Sequence, residues 1–371
     1  MKDDQAPLPG SPAGGTAAPA GGAKGACGAE AAVTDALASA ATGRAVLTAV
    51  GVAALTLFLW ITVAPVGGGL KLVDIPSGTS VRQAAGMLKR GGVIRSSLVF
   101  EALARLTVRP LKAGEYGFNH APMFWVLLTI QAGRVHLHRV LVVEGTSVEQ
   151  VIPLLVEKRL AVPARFRKAC ANRSLLARAG VKASRAEGYL FPDTYLVPRG
   201  MGEDEIVTMM LKRFMERVPK DLYGRAAKRG LSPGNLVVLA SIVEKEARVP
   251  DERPLVSAVF HNRLKRGMAL QADPTVLYAL NRWDARLSYA DLAVDSPYNT
   301  YRYKGLPPGP ICSPGLASLR AAAEPADVPW LFFVTRKDGT FRHDFSRTLR
   351  AHEKADQVSR DKRRQLLKDG K

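Results

Sequence analysis

The sequence predicts an α+β protein carried behind a single N-terminal transmembrane helix. Three observations predict it. An uncharged apolar run extends from Ala45 to Val66, two short units each read as strand, capped turn and helix, and the C-terminal half mixes helical runs with one buried strand. With 371 residues, of which 47% are hydrophobic, the chain can build a tail, an anchor and about two domains with cores of their own.

Residues 1–44 are rich in Ala, Gly and Pro and nearly free of large apolar side chains. They cannot supply a core and are expected to be disordered. The run Ala45–Val66 is long enough to cross a bilayer, and Trp60 sits toward one end, where interfacial aromatics gather. A cleaved signal peptide would lie nearer the N-terminus and have a shorter apolar stretch, so one uncleaved span is expected at 45–66. Charge barely sets its orientation. Lys2, Lys24 and Arg44 precede it, against Asp3, Asp4, Glu30 and Asp35.

After Gly67, Gly68 and Gly69 comes an internal echo. Ile75-Pro-Ser-Gly-Thr-Ser-Val-Arg-Gln83 is followed later by Val142-Val-Glu-Gly-Thr-Ser-Val-Glu-Gln150. Each copy has an apolar strand, a turn with a Thr or Ser able to cap a helix, and a helical stretch. Two tandem α/β units are expected over residues 70–155, the alternative being a chance match of a common capping pattern. From Glu187 the texture changes, and 156–350 reads as one mixed α+β domain. Helices are expected over Glu203–Arg217, from Ser232 and Pro233 through Glu244, and through Leu255–Leu264. Trp330–Thr335 reads as a buried strand followed by a turn at Lys337–Thr340. Residues 351–371 form a basic tail, expected to be helical.

The formal net charge of +20 favours an anionic partner: acidic lipid, an acidic polymer or nucleic acid. The basic residues are scattered, apart from a C-terminal run, and no zinc spacing or RNA-binding signature accompanies them, which disfavours nucleic acid. Cys27, Cys170 and Cys312 match no metal spacing and no disulfide framework. Cys170 and Cys312 are either a pair or two buried thiols. No phosphate loop, metal signature or Gly-x-Ser-x-Gly is present, so neither cofactor nor metal is expected.

One acid stands out. Glu244 ends the stretch Leu236-Val-Val-Leu-Ala-Ser-Ile-Val-Glu244, on a helix apolar on most faces. Desolvation there would hold a carboxyl neutral, the form a general acid needs. The plainer alternative is a surface Glu at a fraying helix end. The loop Ser296–Pro310 is long for a compact domain and holds Tyr298, Asn299, Tyr301 and Tyr303. Such groups suit sugar rings, and they equally lock long loops. Gln271 and Asp273 precede Pro274, where Asp273 could cap a helix or stand as a second carboxylate. Glu246 lies two residues on from Glu244 and so on another face. Glu187 and Asp193 are further candidate neighbours. His261 and His343 are isolated and read as structural.

The segments Glu187–Tyr195, Ala240–Glu246, Val259–Leu264, Leu270–Val276, Tyr298–Tyr301 and Gly305–Ile311, in this order, resemble the endolytic murein transglycosylase family (MltG, or YceG-like) over roughly residues 70–352. The resemblance implies an inner-membrane protein, single-pass, with its N-terminus cytoplasmic and its bulk periplasmic. It implies a LysM-like module before the catalytic domain, and peptidoglycan glycan strands as substrate, cut inside at the MurNAc–GlcNAc bond. The family's catalytic Glu maps to Glu244. Glu187, Gln271, Asp273, Tyr298, Asn299 and Tyr301 become candidate substrate contacts. Ser313 stands where the family usually has Asn, and Ala272 where Thr is common. Two rivals remain: a hydrolase pairing Glu244 with a second carboxylate, and a glycan-binding scaffold that recruits cell-wall synthases.

Overall fold

The computed structural model describes residues 26–66, 68–283 and 286–368. Helix α1 runs Ala26–Thr62. It therefore begins well inside the stretch expected to be disordered; Ala, the best helix former, fills its first turns. Residues 1–25 of that expectation lie outside the described residues. Within α1, Ala41–Thr62 is apolar and long enough to cross a membrane, with a mean hydropathy of 2.2. The helix stops short of the expected Val66, because Pro65 disfavours helical backbone just before it.

A smaller core follows, in the order β1 (Lys71–Ile75), α2 (Val81–Arg90), α3 (Ser97–Leu106), β2 (Gly114–Phe118) and α4 (Met123–Ala132). β1 and β2 pair antiparallel, Lys71 opposite Phe118 and Ile75 opposite Gly114. Val73 and Ile75 alternate inward onto Leu88, Phe100, Tyr116, Leu127 and Ile130.

The larger core starts at β3 (Leu137–Leu141) and α5 (Val148–Glu157) and continues through α6 (Pro163–Cys170), α7 (Arg173–Arg178), β4 (Thr194–Pro198), α8 (Glu203–Arg217) and α9 (Asp221–Lys228). Then come α10 (Pro233–Glu246), α11 (Arg253–Lys265), α12 (Asp273–Ala279), α13 (Leu316–Ala323), the hairpin β5 (Phe332–Thr335) and β6 (His343–Ser346), and α14 (Leu349–Lys368). The fold is α+β, and each sheet among the described residues is a two-stranded ladder.

The echo is real locally. Ser80 and Ser147 each form a capping box, with Gln83 and Gln150. The copies do not pack as a pair, however. The second belongs to the larger core, where β3 pairs with β4 and Val140, Val142, Val151 and Leu155 meet the helices. The division between cores falls between α4 and β3 rather than after residue 155. The basic tail is part of the larger unit: Ser359 on α14 donates to Thr335 O at 2.8 Å and accepts from Lys337 N at 3.1 Å. Cys170 and Cys312 are both buried and free.

Candidate active site

Helix α10 forms as the sequence dictates. Ser232 caps it by accepting from Asn235 N at 3.1 Å, and Pro233 occupies its first turn. Leu236 through Val243 are all buried, so the middle of the helix is a core element, and it is exposed at its start, at Pro233 and Asn235, and half-buried over its last turn, Glu244, Lys245 and Glu246. Two other segments close on that turn. Ile311 N donates to Ser241 Oγ at 3.1 Å, which lays the chain before α13 along α10. Gly145 N donates to Ser313 O and Ser313 N to Thr146 O, both at 2.9 Å, tying the second capped turn to the same strip.

The Glu244 carboxylate sits where these meet. One oxygen accepts from Gly315 N at 2.9 Å, at the N-cap of α13, and the other from Arg253 Nη2 at 3.4 Å. The start of α13 and a guanidinium thus both reach the same carboxyl group. Helix α10 is apolar on most faces and the Glu244 side chain is only 6% exposed, but what covers the carboxyl is polar: Arg253, Gly315 N and Glu144. Arg253 also lies 3.9 Å from Glu144 Oε2. A Cβ at position 315 would stand 1.9 Å from Glu144 Oε1, so any residue but glycine there would displace the Glu144 side chain. Burial and the charge of Glu244 push the Glu144 carboxyl above its ordinary value, with Arg253 opposing. Glu244, Glu144, Arg253, Arg248, Asp193 and Leu141 line an open cleft of about 640 Å³. A larger hollow of about 830 Å³ runs along α8 past Met209 and Lys212 but contains neither acid. Carboxylate placement, not size, marks the site.

Sequence reasoning missed Glu144. Its signal lay in the echo: the first copy has Ser77 where the second has Glu144. Arg253 and Gly315 gave no local signal, since both arrive through tertiary folding.

The other candidates fall into two further groups. Gln271, Asp273 and Tyr301 gather around Glu246. Tyr301 OH donates to Asp273, and Arg263 Nη1 donates to Gln271 Oε1 at 3.3 Å. Burial first, then the Asp273 charge, pushes Glu246 up to about 8, and Arg263 opposes them. Asp273 is the first residue of α12 rather than its cap; Ala272 holds the cap position without a side-chain bond. Gln271 has a left-handed backbone, φ 51°, a strained conformation for a non-glycine residue. Glu187 is buried elsewhere. Its oxygens accept from Val148 N at 3.2 and 3.3 Å, capping α5, and one accepts from Tyr278 OH at 3.4 Å. The rings of Tyr278 and Tyr298 meet at 4.8 Å. Asn299 is fully buried, and its amide donates to Leu292 O and Val294 O at 2.9 and 2.8 Å. Both amide donations stay inside its own loop and lock it. The buried His261 and His343 hold Ala322 O at 2.9 Å and Glu252 at 2.7 Å.

The sequence profile of the YceG-like family matches residues 73–358. The chain belongs to the YceG-like family. A Bacillus subtilis (strain 168) protein named endolytic murein transglycosylase is 31% identical over 302 residues, spanning 76% of this chain and 83% of its own length. A protein of that name from Streptococcus pneumoniae serotype 2 is 29% identical over 295 residues; the match covers 71% of this chain and 53% of that protein. A crystal structure of a yceG-like protein from Listeria monocytogenes superposes with a TM-score of 0.54 at 31% identity, covering 77% of this chain and 98% of that one. Ser313 and Ala272 are both buried. Ser313 Oγ has no hydrogen-bond partner, and Ala272 N donates to Thr300 Oγ1 at 3.0 Å.

Proposed function

We propose that the protein is a membrane-anchored lytic transglycosylase that cuts peptidoglycan strands internally, at the MurNAc–GlcNAc bond, and leaves 1,6-anhydroMurNAc ends. One observation carries this reading: Glu244, in the last turn of a helix buried along its middle, lies at an open cleft and is gripped by Gly315 N and Arg253. The names of the Bacillus and Streptococcus relatives support the substrate and the reaction.

Glu244 donates its proton to the glycosidic oxygen as the bond from that oxygen to C1 of MurNAc breaks. The departing GlcNAc keeps the proton as its 4-hydroxyl. Arg253 and the Gly315 N–H offset the charge left on Glu244. The carboxylate then takes the proton of the C6 hydroxyl, whose oxygen bonds to C1 and closes the anhydro ring. No water is consumed, and Glu244 ends protonated. The exposed Gln271 and Asp273, with Tyr301 beside them, are read as contacts for the strand farther along. The smaller unit is taken as the LysM-like module, α1 as the inner-membrane anchor with the body in the periplasm, and cell-wall synthases as candidate partners.

Glu244→Gln should fold normally and release no anhydro-ended glycans from purified peptidoglycan, as read by mass analysis. Full activity in that variant would remove the assignment. A second reading is favoured by Glu144, a second carboxylate beside Arg253: a hydrolase in which Glu144 activates water. Products separate the two. Anhydro ends, with only a modest loss in Glu144→Gln, belong to the transglycosylase. Reducing ends, with equal loss in both variants, belong to the hydrolase.

A further inference from the structure

The smaller core has an apolar tip that the chemistry does not use. Arg95 reaches to the end of α1: its guanidinium donates to the carbonyls of Ala64 and, at 3.1 Å, Pro65. It also lies 4.3 Å from the centroid of the Trp60 ring. Ile61 packs into the smaller core. The unit is therefore clamped to the last turn of α1 rather than tethered by a free linker.

The entry to α4 lies at the same place. A Cβ at Gly68 would stand 3.6 Å from His120 Nε2, so the chain entering α4 runs beside the chain leaving α1. The first turn of α4 then presents Phe124 and Trp125, 50% and 58% exposed, their rings edge to face at 6.5 Å. Leu98, in the first turn of α3 and three residues past Arg95, is 78% exposed. The far ends of α3 and α4 also meet, since Gln131 Nε2 donates to Thr107 Oγ1 at 2.6 Å and to Arg109 O at 3.2 Å. The two helices thus run side by side, with both first turns toward the end of α1.

Exposed Trp and Phe beside the end of an apolar span have the chemistry of the bilayer interface, where amphipathic rings settle at headgroup depth. Arg95 can keep its charge at that level while its stem lies in apolar surroundings. We propose that Leu98, Phe124 and Trp125 sit in the interfacial layer of the bilayer that α1 crosses, so the smaller unit is seated on the membrane and fixes the height of the catalytic cleft above it. This rests on the reading of α1 as a membrane span. Leu106 is as exposed as Leu98, at 78%, but lies at the opposite end of α3, so apolar exposure alone does not assign the seat.

The test uses the full chain in vesicles of phosphatidylethanolamine and phosphatidylglycerol, with no other protein present. Single cysteines, Val52→Cys, Leu98→Cys, Leu106→Cys and Trp125→Cys, are placed in a Cys27→Ser background; Cys170 and Cys312 are buried. Each is labelled with an environment-sensitive dye. The expected result is a blue-shifted emission, quenched by doxyl-labelled lipid, at 52, 98 and 125, with position 106 left in water. Quenching at 52 with none at 98 and 125 would overturn the seat and leave the span intact. Absence of quenching at 52 would remove the span and the seat together. Equal quenching at 106 and 125 would also overturn the seat, because the helices would then not stand end-on to the bilayer.

Discussion

The two capped turns make an instructive pair. In the first, Gly78 takes φ 79°, Thr79 Oγ1 donates to Pro76 O at 2.7 Å, and Ser80 caps α2. In the second, Gly145 takes φ 77°, Thr146 Oγ1 donates to Val143 O at 2.7 Å, and Ser147 caps α5. The local physics is the same, and the tasks are not. The first turn is largely exposed, whereas Gly145 through Val148 are buried. Its backbone is bonded to Ser313, and its helix N-terminus is covered by Glu187. Glu144 in place of Ser77 then carries a carboxylate to Arg253. A motif fixes a backbone path, and its tertiary neighbours decide whether that path supports only a core or also a reaction.

The largest effect should come from the paired glycines. Left-handed backbone costs an L-residue about 1–2 kcal/mol, so Gly78→Ala and Gly145→Ala should lower stability by similar amounts in thermal melts. Nothing stands within 4 Å of a Cβ at Gly78, whereas one at Gly145 would meet Glu244 Cγ at 3.7 Å and Lys245 Cδ at 3.8 Å. Relaxation of the strained second turn therefore moves atoms beside the acid, and a small misplacement there can cost about 10²-fold in rate. Gly145→Ala should lose turnover, and Gly78→Ala should not. Equal turnover in the two would show that the second turn only supports the core.

The paired serines come next. Loss of a Ser cap costs about 0.5–2 kcal/mol. Ser80 is exposed and Ser147 fully buried, so Ser80→Ala should fall at the low end and Ser147→Ala at the high end. In the buried turn water cannot replace the lost acceptor for Gln150 N. Denaturant midpoints read the difference, and its reversal would count against the packing described for the second turn.

These comparisons also mark what the sequence could tell. The apolar stretch of α1, the Ser232 and Pro233 start of α10, the bounds of α8 and both capping boxes are written in local patterns: apolar length, cap residues and periodicity. Long-range pairing is not local. Nothing near Val142 says that β3 joins β4 across some fifty intervening residues, so the echo read as two adjacent units when its copies serve different cores. Glu244 was legible from its own helix and from the order of the surrounding motifs. Its partners Arg253, Gly315 and Glu144 come from three other segments. Gln271, Asp273 and Tyr301 look close to Glu244 as text, yet the geometry groups them with Glu246, because two steps along a helix turn the side chain by more than half a revolution.

The smallest effect sharpens the contrast through pH. Only the second turn carries a buried carboxyl over its helix, and burial pushes Glu187 up from 4.5 to about 7, against hydrogen bonds from Val148 and Tyr278. A carboxyl whose value is raised on folding binds its proton more tightly in the folded state. Its contribution to stability is full below the unfolded value and is lost as pH rises through the folded one. The thermal midpoint should thus gain a downward component between about pH 4.5 and pH 7. Glu187→Gln keeps an acceptor for Val148 N and removes the titration. Other carboxylates titrate too: burial and the Asp273 charge push Glu246 up to about 8 against Arg263, which adds a component of the same sign across this window, whereas Asp193, which burial raises but Arg213 and Thr194 N bring to a net low value, acts only below the ordinary aspartate range. The useful quantity is therefore the difference between wild type and variant at each pH. That difference should fall across the window and level off above it, and a flat line would mean that Glu187 titrates as an ordinary surface acid.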